Sequence, residues 1–132
     1  MPETWRTDWQ RAVDRSAEAA RQRFLTPGAG QAAVYLRKEA EARRFLALDS
    51  EVQAAQEPGP SWPYLSAEIH VTAETLAGVA ATIVALADAW DQAAAEIEAL
   101  RLPAKAAIAA ASDEAEARAA AKAAMDGWPG VG

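Results

Sequence analysis

Three groups of residues in this chain are of types that could do chemistry: clustered carboxylates, one histidine, and a glycine pair behind a proline. Asp113-Glu114-Ala115-Glu116 and Glu96-Ile97-Glu98 place carboxylates close in sequence, and paired carboxylates can divide general-acid and general-base work. Adjacent helix positions point apart, so these groups do not converge on one substrate atom and read as solvated surface. His70 is the only histidine. A nucleophilic triad needs a base beside an activated hydroxyl or thiol, yet no serine stands in an elbow motif and there is no cysteine. His70 therefore reads as a loop or helix-start residue. One histidine and scattered carboxylates also match no metal-ligand spacing. In Thr26-Pro27-Gly28-Ala29-Gly30 the glycines could form a phosphate cradle. The segment follows a helix rather than a strand, however, and no Gly-Lys-Ser/Thr comes after it. The expectation is a chain with no catalytic, cofactor or metal residue, and no enzyme.

The remaining candidates are aromatic. Trp62, between Pro60 and Pro63, and Trp128, before Pro129, lie in non-helical stretches. Tryptophans on rigid exposed loops anchor protein partners, which makes Trp62 and Trp128 candidate partner contacts. The competing reading, slightly favoured, folds both back to seal the ends of a bundle.

Composition narrows the classes further. The chain has 132 residues, of which 37 are alanine, and a net charge of −6. This length fits one domain, 1–132. Alanine is the best helix former and lets helices approach closely. Acidity disfavours both the phosphate backbone of nucleic acids and anionic membrane surfaces, so neither is an expected partner. The longest apolar stretch, Ala77 to Ala87, is too short to span a bilayer. The polar N-terminal residues carry no apolar leader core, which points to synthesis in the cytoplasm.

The elements that must position these residues are helices. Trp5, Trp9, Val13, Ala17, Ala20 and Phe24 recur at three- and four-residue steps and predict a helix over about 3–24. On its other face Asp8 with Arg11 and Glu18 with Arg21 form i,i+3 pairs. An anionic partner for these arginines is the sharper reading and a solvated face the preferred one. A second helix is predicted over 31–48. A rigid Pro-rich connector follows at 57–63, with a single helical turn after Pro63. Thr72 is the expected N-cap of a third helix over 72–102. Pro103 should kink or restart it, giving a last helix within 104–125 that Ser112 helps to cap.

Within the third helix, Leu76, Ile83, Trp90 and Ile97 stand seven residues apart, and Val79, Leu86, Ala93 and Leu100 repeat that step. Four heptads with apolar a and d positions define a packing seam. The flanking e and g positions are mostly alanine, so the apolar face is wide and suits burial on two sides within a three- or four-helix bundle. An oligomeric coiled coil is the alternative. Trp90 at the centre reads as a core residue whose truncation to alanine would cost roughly 3–5 kcal/mol. The predicted fold is all-α: three main helices plus a short C-terminal one.

The block Phe24-Leu25-Thr26-Pro27-Gly28-Ala29-Gly30-Gln31-Ala32 and the following Tyr35-Leu36-Arg37-Lys38-Glu39-Ala40-Glu41-Ala42 carry a resemblance. So do Trp62-Pro63-Tyr64-Leu65-Ser66-Ala67-Glu68-Ile69, the helix to Ala89-Trp90, Ile97 to Arg101, Lys105 to Ile108, and Trp128-Pro129. Together they resemble a family of small alanine-rich helical proteins and C-terminal segments from the tail and tail-fibre gene region of bacteriophages and prophages. The Thr-Pro-Gly-Ala-Gly-Gln block is its most specific part. Pro103 departs from the pattern, and a short helix stands where some relatives carry a β-rich or fibre-like region. The resemblance implies a non-enzymatic tail or tail-fibre structural and interaction protein of the virion. Its partners would be other tail or tail-fibre proteins, with self-association as an addition. A transient fibre-assembly chaperone and a bacterial cytoplasmic helical adaptor remain open as alternatives.

Overall fold

A computed structural model describes residues 3–24 and 31–130. The predicted break at Thr26–Gly30 lies outside the described residues. Among those described there are six helices: α1 (Trp5–Gln22), α2 (Gln31–Leu46), α3 (Ser50–Ala55), α4 (Pro63–Ala67), α5 (Leu76–Ala110) and α6 (Glu114–Met125). They contain no strand; Ile69 and Ala73 form one isolated bridge. The all-α helical class is as the periodicity predicts.

Although one domain was expected, the chain divides into two compact units, Met1–Thr26 with Trp90–Gly132, and Pro27–Ala89. In the first, α1 packs on α6. Val13, Ala17 and Ala20 of α1 are fully buried, as are Ile97 and Ile108 of α5 and Ala117 and Ala121 of α6. These residues recur at three- and four-residue steps, so each helix buries one stripe. Alanine on most of those positions brings the backbones close. In the second unit, larger side chains make the core: Phe45 of α2, Trp62 and Leu65, and Leu76, Val79 and Ile83 of α5. Phe45 and Trp62 meet edge-to-face with ring centroids 5.0 Å apart, the geometry that ring quadrupoles favour. Gly78 allows the turn before α5 to close on the helix. A Cβ there would lie 2.9 Å from that of Ala73.

Several boundaries differ from expectation. α5 begins at Leu76 because Thr75, not Thr72, makes the cap: its Oγ1 accepts from the Gly78 amide at 3.0 Å. Thr72 instead donates to Glu68. Helix also runs on through Pro103 to Ala110. Pro103 and Ala99, whose carbonyl loses its amide partner, are both exposed, so water can satisfy that oxygen. The break falls instead at 111–113, where Asp113 rather than Ser112 is the N-cap and its Oδ1 accepts from the Glu116 amide at 2.9 Å. Glu116 Oε2 in turn accepts from the Ser112 amide at 2.8 Å, a variant of the reciprocal capping box. The short helix α3 falls between the predicted second helix and the Pro-rich connector, where the sequence predicts no element.

The predicted seam also needs correction. Leu76, Val79, Ile83 and Ile97 are buried and Leu100 partly so, but Leu86 is 67% exposed and Trp90 only half-buried. No α5 residue between Ile83 and Ala93 is buried. Heptad spacing marks which face is apolar; whether a neighbour covers that face at every turn is decided by the length and placement of the other helices. Trp90 is therefore not the central core tryptophan, and its truncation should cost less than full burial implies.

Candidate interaction site

Neither tryptophan proposed as a partner contact is a free anchor. Trp62 is 6% exposed. Its ring packs on Phe45, its Nε1 donates to Gln56 Oε1 at 3.1 Å, and the Arg44 guanidinium lies 4.8 Å from its ring centroid. Trp128 is half-buried against Ala17, Ala20 and Ile97, and its Nε1 donates to Ser16 Oγ at 2.7 Å. Both rings pack within their own units.

The carboxylates considered for catalysis are engaged at helix ends and in pairs. Asp113 and Glu116 cap α6, and Glu114 Oε1 lies 3.4 Å from Trp9 Nε1. Glu98 accepts from Arg101 at 2.6 and 2.9 Å. Arg101 also donates to Asp14 at 2.9 Å, and Lys105 Nζ reaches the second oxygen of Asp14 at 2.9 Å. The hydrogen bond from Lys105, and then that from Arg101, hold the Asp14 carboxyl below its ordinary pKa against some desolvation. Arg101 does the same to Glu98, and the Arg101 guanidinium is itself held more firmly protonated. This ladder joins α1 to α5.

The side chains that sequence reasoning missed have a common role. Arg6 Nη1 donates to the carbonyls of Ile108, Ala109 and Ala111 at 2.9, 2.8 and 3.0 Å. The Ile108 and Ala109 oxygens lie in the last turn of α5 and the Ala111 oxygen just after it, and Ile108 also accepts from the Ala111 amide at 3.3 Å; a cation there suits the helix dipole. Glu41 is buried in α2, and its Oε2 accepts from the Leu65 amide at 2.7 Å, which satisfies the first turn of α4. Glu68 Oε2 is buried, accepts no aligned hydrogen bond, and is matched by the charge of Lys38 Nζ at 2.6 Å. Burial pushes Glu68 up, but Lys38 and Thr72 outweigh it and its pKa lies below the ordinary value. None of these long-range partners has a sequence signal, because each pairs residues far apart in the chain.

His70 sits in a tight turn at φ 69°, a conformation His adopts more often than most non-glycine residues. Its Nδ1 is 2.5 Å from Glu74 Oε2 and its ring is exposed. No serine or second base joins it among its hydrogen-bond partners. Among the described residues, no group of three or more His, Cys, Asp or Glu is placed to hold a metal ion, and no helix is long and apolar enough to cross a membrane.

What remains at the surface of the second unit is asymmetric. Its four Lys/Arg residues, Arg37, Lys38, Arg43 and Arg44, are all on α2, and none occurs between Arg44 and Arg101. Leu36, on the same helix, is 70% exposed. A groove of about 490 Å³ opens between α3 and the start of α5, walled by Ala54, Pro58, Ile69, Leu76 and Ala77.

No family model matches the chain, and no curated protein or solved structure was found to be similar to it.

Proposed function

We propose that this chain is a non-enzymatic structural and interaction protein of a bacteriophage tail or tail fibre, working in the virion after synthesis in the host cytoplasm. The resemblance of its residue blocks to tail-region helical proteins motivates the assignment to a tail. The observation that carries the structural role is Arg6, whose guanidinium closes the carbonyl end of α5. With Glu41, Asp14, Trp62 and Trp128, it is a polar or aromatic group of the kind that sites are built from, engaged in holding helices together.

Mass spectrometry of purified virions tests the reading. Abundant peptides of this chain in mature particles are expected. Peptides found in lysates with a fibre protein but missing from particles would replace it with an assembly chaperone. Absence from both, with no tail or capsid genes as neighbours, would leave a cytoplasmic adaptor.

A further inference from the structure

We infer that the unit Pro27–Ala89 carries both halves of a head-to-tail contact between copies of this chain: the exposed Leu36 strip of α2 docks in the groove between α3 and the start of α5 of the next copy. The inference does not depend on the tail assignment.

On α2, Ala33, Leu36, Arg37 and Ala40 are exposed. Their i, i+3, i+4, i+7 spacing is the pattern with which a helix lays one face into an apolar groove. Arg37 pairs with no described residue, so its charge is available to a partner. The groove supplies the complement. Five of its ten lining residues are apolar, and Gln53 among the polar ones donates its amide to the Leu46 and Leu48 carbonyls at 3.3 and 2.8 Å. At about 490 Å³ it falls within the range of pockets that hold small ligands, roughly 300–1,000 Å³.

Charge selects the occupant. Glu74 lines the groove, with its Oε2 already against His70 Nδ1. Glu51 and Glu57 are exposed, pair with no described residue, and are chain neighbours of lining residues. No lysine or arginine lies in this part of the chain, whereas α2 holds every one the unit has. A helix face bearing an exposed leucine and the unpaired Arg37 therefore matches a partly apolar groove flanked by unpaired carboxylates, and the two occur on every copy in equal number. Because the two patches differ, the contact is heterologous, and it builds rings or open chains rather than closed two-fold dimers. Exposed charges contribute modestly and are screened by salt, so the association is weak and salt-sensitive.

Sedimentation of the full chain across concentration and ionic strength tests this. The wild type is expected to grow beyond a dimer at low salt and to dissociate as the Debye length shrinks to a few ångströms. Arg37→Glu, and separately Glu51→Lys with Glu57→Lys, should each weaken self-association about tenfold or more, since each sets like charges opposite one another. All three positions are exposed, and unchanged far-ultraviolet circular dichroism confirms that the variants fold. An equimolar mixture of the two variants should recover assembly with the two alternating, because the reversed α2 face of one meets the reversed groove of the other and the remaining face and groove are both unaltered. Combining all three changes in one chain restores complementarity with reversed sign and should restore assembly without a second variant. A monomer at every concentration, a closed dimer, association indifferent to the single-face variants, or no recovery in the combined variant would each overturn the inference. So would a basic amphipathic peptide that enters the groove of a wild type that stays monomeric.

Discussion

Trp128 Nε1 donates to Ser16 Oγ at 2.7 Å across 112 residues of sequence. The bond ties the segment after α6 back onto α1, and the ring covers Ala17, Ala20 and Ile97. Trp128→Phe keeps most of the apolar cover and removes the donor. It should cost about 1 kcal/mol, with Ser16→Ala costing a similar amount. Because the two share one bond, the double variant should lose less than the sum in thermal unfolding. Strict additivity would show that the pair does not interact.

Arg6 closes the end of α5 from a different helix. Arg6→Ala removes the guanidinium from the Ile108, Ala109 and Ala111 carbonyls, and a loss of about 1–3 kcal/mol is expected because the donor is charged. Arg6→Lys keeps the charge but not the planar fork, so it should recover only part of that stability. Equal melting temperatures for Arg6→Ala and wild type would contradict the cap.

Glu41 is the buried acidic residue of the second unit. Glu41→Ala strands the Leu65 amide and should cost about 1–3 kcal/mol. Glu41→Gln retains an oxygen acceptor and should fall between. Chemical denaturation measures both. An alanine variant no less stable than the glutamine variant would show that the amide does not need this partner.

Acid should loosen the ties between helices. Asp14, Glu98 and Glu68 have folded pKa values below their ordinary values of 3.8, 4.5 and 4.5. The folded state therefore binds protons less readily than the unfolded one, and stability falls with decreasing pH. The contribution is complete above those ordinary values and is lost as pH drops through the lower folded ones. Asp14 and Glu98 are largely solvated, so their share is small and screened by salt. Melting temperature should thus be flat from neutral pH to about 5 and decline below the ordinary carboxylate range. Arg101→Gln should flatten the decline; an unchanged acid limb in that variant would exclude the ladder as its cause.

The helices were legible because alanine-rich stripes at three- and four-residue steps leave little else for the chain to do. Val79, Ile83 and Ile97 could be placed on the packed face of α5 from spacing alone. Leu86 could not be excluded in the same way, since it shares their register and differs only in lacking a neighbour. Pro103 misled because its local cost is real, yet an exposed position lets water take over the lost bond. Thr72 and Ser112 misled for a different reason: several capping residues stand close together at each start, and local bonds choose among them, Thr72 going to Glu68 and Asp113 taking the Glu116 amide. The polar ties were illegible. Nothing near Arg6 in sequence announces the Ile108 carbonyl, and nothing near Ser16 announces Trp128.

The central claim is that α5 is one helix held in two covered stretches, which flank a stretch where no residue is buried. Residue-resolved amide hydrogen exchange at neutral pH tests it most directly. Slow exchange is predicted at Val79–Ile83 and at Ile97–Ile108, carrying through Ala104 without a break after Pro103, and faster exchange at 85–92. Uniformly rapid labelling along α5, or protection that ends at Pro103, would contradict it.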